Sequence, residues 1–373
     1  MGILLLLLAS GYTLYLWRLT IQWRRIPEMA TESAPSSDFS IIIPVRNEST
    51  NLPALVESLE KVNYPKDRFE VIIVDDHSTD STRELIANRQ RKSSLHIHLL
   101  QLDEYVGSPK KAAITKAIAK ASFDIIVTTD GDCTIPSDWL SVMDNAFKNK
   151  TIQLVAGPVA YSQNGLFAEL QALEMLVLCG FSACMIAKGT PVFGNGAHLA
   201  YRKSLFHELK GFSGNTHIAS GDDEFIIKKA VATKGSDATM YLKHPQSIVY
   251  TAPNKSFRQL VQQRLRWAGK WKAHKEFRHG ITAGLVFLLN LIFLGSIAAG
   301  VIGLAHWSIV IATWCIKFIG EATFCRSLGR YFDIKINFVA LVLLGLLYPL
   351  YVVFFGLGAN VNQYQWKGRK YHE

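Results

Sequence analysis

Phe123-Asp124-Ile125-Ile126-Val127-Thr128-Thr129-Asp130-Gly131-Asp132 decides the fold. It is a strand-length apolar run without polar alternation, and it stops on two carboxylates separated by a glycine. A strand apolar on both faces belongs in a parallel sheet covered by helices on each side. Similar runs lie at 39–44, 69–74 and 95–100, with stretches of helical character at 52–62, 81–91 and 110–121 between them. This alternation predicts a mostly parallel α/β domain whose ligands sit beyond the carboxyl ends of the strands. Pro44 and Glu48, Asp75 and Asp76, and Asp130 and Asp132 all fall at such ends.

Past residue 155 the rhythm breaks. A long apolar helix is expected over 165–188, a tight glycine-containing segment over 194–201, a helix over 223–233 and a strand over 239–250. The small polar stretch 31–37 reads as a linker. Residues 3–17 are almost wholly apolar and are followed by Arg18, Arg24 and Arg25, the reverse of a secretory signal. An uncleaved anchor with a cytoplasmic basic flank is expected. Three further spans are expected at 281–304, at 307–325 (interrupted by Lys317 and Glu321) and at 338–357 around Pro349. Arg326, Arg330 and Lys335 mark the loop before the last span as cytoplasmic. Three spans then carry Lys367, Arg369 and Lys370 outward, against the positive-inside rule. Either the rule fails here or one segment is re-entrant or interfacial. The expected organisation is an anchor over 1–25, the α/β domain over 38–250, an interface helix over 254–280, three spans within 281–360 and a basic tail over 361–373.

Forty Lys and Arg against thirty Asp and Glu give a formal charge of +10. Much of it lies beside apolar segments, notably in the dense cluster 255–278, which favours an anionic lipid surface and a negative substrate over nucleic acid. Cys133, Cys179, Cys184, Cys315 and Cys325 have neither CxxC nor zinc spacing and read as reduced, cytosol-facing thiols.

Asp130 and Asp132 around Gly131 can both face a small cavity, which suits Mg²⁺ or Mn²⁺ shared with diphosphate oxygens. Helix-capping aspartates in a turn are the plain alternative. Asp75 and Asp76 precede His77-Ser78-Thr79-Asp80, where turn and cap chemistry accounts for Ser78 and Asp80. Two adjacent carboxylates there repel one another unless a ligand, such as a ribose or base, uses one. Asp103 after the third strand is a further candidate. Lys110 and Lys111 begin a helix and suit a diphosphate, or simply a solvated first turn. His96 and His98 alternate along a strand and read as one exposed face. Gly221-Asp222-Asp223-Glu224 offers crowded carboxylates for a general base, with an acidic helix start favoured by the dipole as the alternative. Gln263-Arg264-Leu265-Arg266-Trp267 lies in a basic amphipathic stretch whose apolar face is expected to carry Phe257, Leu260, Val261, Leu265, Ala268 and Trp271. Its arginine can pair with diphosphate and its tryptophan can wall a sugar.

Together these motifs resemble the family 2 glycosyltransferases of GT-A fold, in particular the membrane-embedded branch containing cellulose and hyaluronan synthases and ceramide glucosyltransferases. The resemblance implies a Rossmann-like cytoplasmic domain between membrane segments, and inverting transfer from a UDP-sugar to a lipid or glycan acceptor. Asp76 and Asp75 would hold uridine, with Pro44, Glu48 and Lys110 on the donor side. Asp130 and Asp132 would hold the metal and diphosphate, and Asp223 would be the base. Gln263, Arg266 and Trp267 match the family's Q-x-x-R-W signature. Asn195 and Gly196 lie in its acceptor-side loop, with Asp222 where the family has Glu. About four spans enclose a polymer channel poorly, so a lipid acceptor is favoured over a processive polysaccharide synthase. A polyprenyl-phosphate sugar synthase and a non-catalytic export subunit are the rivals.

Overall fold

The computed structural model describes residues 1–30, 34–218, 220–273, 277–358, 363–366 and 369–372; for 270–273, 277–283, 363–366 and 369–372 it gives the backbone course alone. Part of the 31–37 linker, part of the 255–278 cluster and Lys367 lie outside the described residues. The first half contains α1 (Gly2–Arg25), β1 (Phe39–Val45), α2 (Leu52–Glu60), β2 (Phe69–Asp75), α3 (Thr82–Lys92), β3 (His96–Gln101), α4 (Pro109–Lys120), β4 (Ile125–Thr128), β5 (Cys133–Thr134) and α5 (Trp139–Lys148). There follow β6 (Leu154–Ala156), β7 (Val159–Tyr161), α6 (Leu166–Ala187), β8 (Leu199–Arg202), α7 (Lys203–Glu208), α8 (Asp222–Lys234), β9 (Thr239–Tyr241) and β10 (Val249–Thr251). The last elements are α9 (Phe257–Ala273), α10 (Phe277–Val301), α11 (Trp307–Phe332), α12 (Phe338–Gly358), β11 (Gln363–Trp366) and β12 (Arg369–His372).

Two compact units result. The α/β unit comprises Ile26–Ser162 and Ser182–Ala252; the helical unit comprises Met1–Arg25, Gln163–Phe181 and Pro253–Glu373.

The α/β unit is built on a seven-stranded sheet in the order β3-β2-β1-β4-β8-β6-β9. β3, β2, β1 and β4 run parallel, and only β8 opposes its neighbours. Every residue of β2 is buried, whereas β3 alternates, with His96 and His98 exposed as an edge strand requires. The core joins Ile41, Ile43 and Val71 of the sheet to Trp139, Met143 and Phe147 of α5, a helix the motif-led sequence reading passes over. The expected strand 239–250 is instead two short ones. Pro245 opens a turn of 3₁₀ helix between them, and β10 joins a second sheet with β5 and β7.

His198 is enclosed in this core. The Trp139 indole N–H donates to its Nε2 at 3.0 Å, which leaves Nδ1–H to donate to the Pro158 carbonyl at 3.0 Å. Burial lowers its pKa from 6.5 to about 4. The neutral ring therefore stabilises the fold fully above pH 6.5, and that contribution, about 3 kcal/mol, is lost as pH falls towards 4. The thermal midpoint should drop between about pH 7 and pH 5, and His198→Gln should flatten that drop.

In the helical unit, five helices among the described residues are long and apolar enough to cross a membrane: α1, α6, α10, α11 and α12. Ile3, Leu7, Leu285, Ile311, Leu350 and Phe354 are exposed, an apolar surface that water would penalise and lipid would not. α6 differs from the others, with 72% of its most apolar window buried inside the protein against 22–39% for the rest. The two charges expected to interrupt the second C-terminal span lie inside α11 without breaking it. Lys317 Nζ is 2.8 Å from the Glu321 carboxylate and donates to the Gly345 carbonyl of α12 at 2.7 Å, while the Tyr12 hydroxyl of α1 donates to Glu321 at 3.1 Å. Pairing of this kind is what makes intramembrane charge tolerable. Gly320 lets α1 approach: a Cβ there would lie 2.9 Å from Thr13 Oγ1. The expected basic tail includes a short antiparallel hairpin of β11 and β12.

Candidate active site

In the sheet, β2 and β3 lie to one side of β1 and β4 to the other, so strand order reverses between β1 and β4. Ligands of open α/β sheets bind at the carboxyl ends of the strands at such a point. β1 outlasts β4: Phe39, Ser40, Ile41 and Ile42 pair with Ile125–Thr128, whereas Ile43, Pro44 and Val45 pair only with β2. Pro44, which has no N–H to donate, sits in this one-sided stretch.

Two loops leave the notch. After β1, the Glu48 carboxylate is buried and accepts from Asn51 Nδ2 at 2.7 Å. After β2, Asp75 and Asp76 are both buried. The Asp76 N–H donates to the Val45 carbonyl at 2.9 Å, and Arg46 Nη1 donates to the Asp76 carbonyl at 2.6 Å. Arg46 was not singled out in the sequence, and it clamps the two loops together. Each loop also holds a non-glycine residue in the left-handed region, Asn47 at φ 52° and His77 at φ 51°, a cost that ordered loops near ligand sites often carry. Asp80 accepts from Thr82 N at 3.0 Å and Ser49 N at 3.1 Å, the turn chemistry expected of it, while Ser81 holds the N-cap position of α3. Asp103 pairs with Lys116 at 2.6 Å on the surface.

Asp130, Gly131 and Asp132 turn out of β4 against the β1 loop. A Cβ on Gly131 would lie 2.9 Å from Glu48 Cγ and 3.0 Å from Val45 Cγ1, so glycine is required for that approach. Asp130 is half-buried and Asp132 exposed. Lys110 is the hinge of the cluster: its Nζ lies 2.8 Å from Asp130 Oδ1 and 3.0 Å from Asp222 Oδ2. Burial opposes the Lys110 ammonium, but the Asp130 and Asp222 carboxylates more than offset it and raise its pKa well above that of an ordinary lysine. Its neighbour behaves oppositely. Lys111 points into the core, donating to the Asn215 carbonyl at 2.7 Å and the Ile218 carbonyl at 2.9 Å. One step along a helix turns a side chain by about 100°, which separates a site lysine from a structural one.

α8 opens with Asp222, Asp223 and Glu224 in its first turn. Asp223 is buried and accepts the Glu224 N–H at 2.7 Å; Glu224 pairs with Lys228 on its own helix. Across from it runs the 194–196 loop. A Cβ on Gly196 would fall 2.4 Å from Asp222 Oδ2 and 3.1 Å from Lys110 Nζ, and one on Gly194 would sit 3.6 Å from Asp223 Cβ. The Asn195 side chain accepts from the Ala197 N–H at 3.1 Å, and the Gly196 carbonyl accepts from Thr128 Oγ1 at 2.9 Å. The structure thus gathers Glu48, Lys110, Asp130, Gly196, Asp222 and Asp223 at one end of the sheet. Among the described residues no three His, Cys, Asp or Glu side chains converge as a complete metal cage.

Gln263, Arg266 and Trp267 lie on α9 of the helical unit, all half-buried. The expected apolar face is only partly observed: Leu260 is buried, Phe257 is 68% exposed, and the enclosed partner of Leu260 one turn on is Arg264. A cation at an apolar-face position was the available signal for that residue.

Residues 40–210 match the family model described as glycosyl transferase family 2. Glycosyltransferase AglE of Haloferax volcanii is 28% identical over 256 residues, covering 68% of this chain and 78% of that protein. The undecaprenyl-phosphate 4-deoxy-4-formamido-L-arabinose transferase of Salmonella choleraesuis is 32% identical over 114 residues, 29% of this chain and 32% of that one. Among solved structures, the mannosyltransferase PcManGT from Pyrobaculum calidifontis, in complex with GDP-Man and Mn²⁺, has a TM-score of 0.55 at 19% identity over 97% of each chain, a likeness of fold.

Proposed function

Starting from the membership of residues 40–210 in the family 2 glycosyltransferases, which makes the chain a glycosyltransferase, we propose that it transfers one sugar from a UDP-sugar to a lipid acceptor at the cytoplasmic membrane face, with inversion. The observation that carries this reading is the Lys110 cluster, where a cation joins the strand-end Asp130 to the acidic helix start beside Asp223.

Asp223 takes the proton of the acceptor hydroxyl as that oxygen attacks the anomeric carbon. The bond from the anomeric carbon to the diphosphate breaks in the same displacement, and its electron pair leaves with the nucleotide. Lys110, which stays cationic, stands ready to neutralise that charge. Arg266 is assigned to the donor by its place in the Q-x-x-R-W signature, and it has the planar fork that suits a diphosphate. Asp75 and Asp76, with Pro44 and Glu48, hold the nucleoside side of the donor. Asn195, Gly196 and Asp222 border the acceptor; Gln263 and Trp267 are assigned to the donor sugar by their place in the Q-x-x-R-W signature, Trp267 to the acceptor as well. Asp130 and Asp132, two carboxylates on the turn that leaves β4, would suit a Mg²⁺ or Mn²⁺ ion, a hard cation whose shell diphosphate and water can complete. Such an ion, when bound, supplies further charge neutralisation for the leaving diphosphate.

Two things support the lipid acceptor: five helices of membrane length among the described residues, and the undecaprenyl-phosphate in the name of one relative. Membranes containing the chain should be incubated with labelled UDP-sugars and GDP-sugars, and lipid and polymer fractions extracted separately. Label is expected in the lipid fraction from a UDP-sugar. Label confined to polymer would overturn the lipid acceptor, label only from GDP-sugars would overturn the donor, and neither transfer nor donor hydrolysis would favour the export-subunit alternative.

A further inference from the structure

Arg264 fills one of the two positions that the 263–267 signature leaves open, yet it is only 4% exposed. Its Nη2 lies 2.6 Å from Glu174 Oε2, its Nε donates to the Tyr351 hydroxyl at 2.5 Å, and that hydroxyl donates to Glu174 Oε1 at 2.5 Å. The three groups close a ring linking α6, α9 and α12. The guanidinium also contacts the signature itself. Nη1 donates to Gln263 Oε1 at 2.5 Å, and the guanidinium carbon stands 4.2 Å from the centre of the Trp267 ring.

We propose that Arg264, oriented by Glu174 and Tyr351, is a positioning residue that sets the working orientation of Gln263 and Trp267; this rests on the reading above that those two side chains serve sugar transfer. The argument is geometric. A guanidinium is planar, with its donors in the plane and its face perpendicular to them. Bonds to Glu174, Tyr351 and Gln263 fix the plane, and the plane then fixes the face presented to the indole. Gln263 is held from a second side as well. Its Oε1 also accepts from Asn254 Nδ2 at 2.8 Å, and Gln171 of α6 brackets Asn254 by accepting its N–H at 2.9 Å and donating to its carbonyl at 3.0 Å. With the amide oxygen pinned by two donors, the direction of the amide nitrogen is determined. Stability alone is a poor reason for this arrangement, because the desolvation of a buried Arg–Glu pair largely offsets its attraction.

Arg264→Lys discriminates between the two roles. It keeps a cation for Glu174 but loses the fork to Gln263 and the flat face on Trp267. In the full chain in detergent or nanodiscs, kcat should fall about a hundredfold with donor KM within about threefold of wild type. Trp267 fluorescence, taken as wild type minus Trp267→Phe, should become more accessible to acrylamide in the Arg264→Lys background. Near wild-type kcat, or unchanged quenching of Trp267, would overturn the proposal. Should Arg264→Lys fail to fold, Tyr351→Phe is read by the same two measurements, with a loss of about tenfold expected and an unchanged kcat again overturning it. A wild-type chain that transfers no sugar, while Trp267 quenching still responds to Arg264→Lys, would sink the transfer reading and not the orientation of Trp267.

Discussion

Asp223→Asn is expected to remove sugar transfer, lowering kcat by about a thousandfold, within the range that loss of a general base produces. The substitution is close to isosteric and keeps an oxygen able to accept the Glu224 N–H, so the α8 start should persist. Only the proton-accepting charge is lost. Donor KM and the thermal midpoint should therefore stay near wild type, and the defect should appear in kcat. Glu224→Gln is the internal control: Glu224 is already committed to Lys228, so its loss should cost stability and leave kcat nearly intact. If Asp223→Asn turns over normally while Glu224→Gln does not, the base has been misassigned.

Asp132→Asn comes second in size. Asp132 is exposed beside Asp130, and Lys110 engages Asp130 rather than Asp132. Losing a carboxylate that serves a cation shared with diphosphate should cost about two to three orders of magnitude in kcat/KM. The metal concentration for half-maximal activity should rise alongside it. Titration of Mg²⁺ and Mn²⁺ against both proteins reads this directly. An unchanged rate and an unchanged metal requirement would remove Asp132 from the site. Asp130→Asn should behave differently, since it also strips Lys110 of one of its two carboxylates and so lowers the pKa of that lysine.

Much of the α/β architecture was legible because its central strands are apolar on both faces and end abruptly on polar residues. The runs at 39–44, 69–74, 95–100 and 123–129 all correspond to observed strands. The short strands β5, β6 and β7 were not, because two or three residues carry no periodicity and their pairing is set by distant partners, and for the same reason β9 and β10 were expected as one strand over 239–250. The carboxylates of the site could be seen individually at strand and helix ends. Their convergence could not: Lys110 meets Asp222 through the sheet's topology, and nothing local distinguishes Lys110, which faces Asp130, from Lys111, which faces the core. The same holds on α9. Gln263, Arg266 and Trp267 stand out as a motif, whereas Arg264 shows its importance only when Glu174 and Tyr351, far away in sequence, are folded around it.

The central claim is a single direct displacement at the anomeric carbon, with Asp223 as base and Lys110 beside the departing diphosphate. The anomeric configuration of the transferred sugar tests it most directly. With an α-linked UDP-sugar as donor, NMR of the purified product should show a β-linkage, and Asp223→Asn should yield none. An α-linked product would mean retention, and a single displacement at this site would be contradicted.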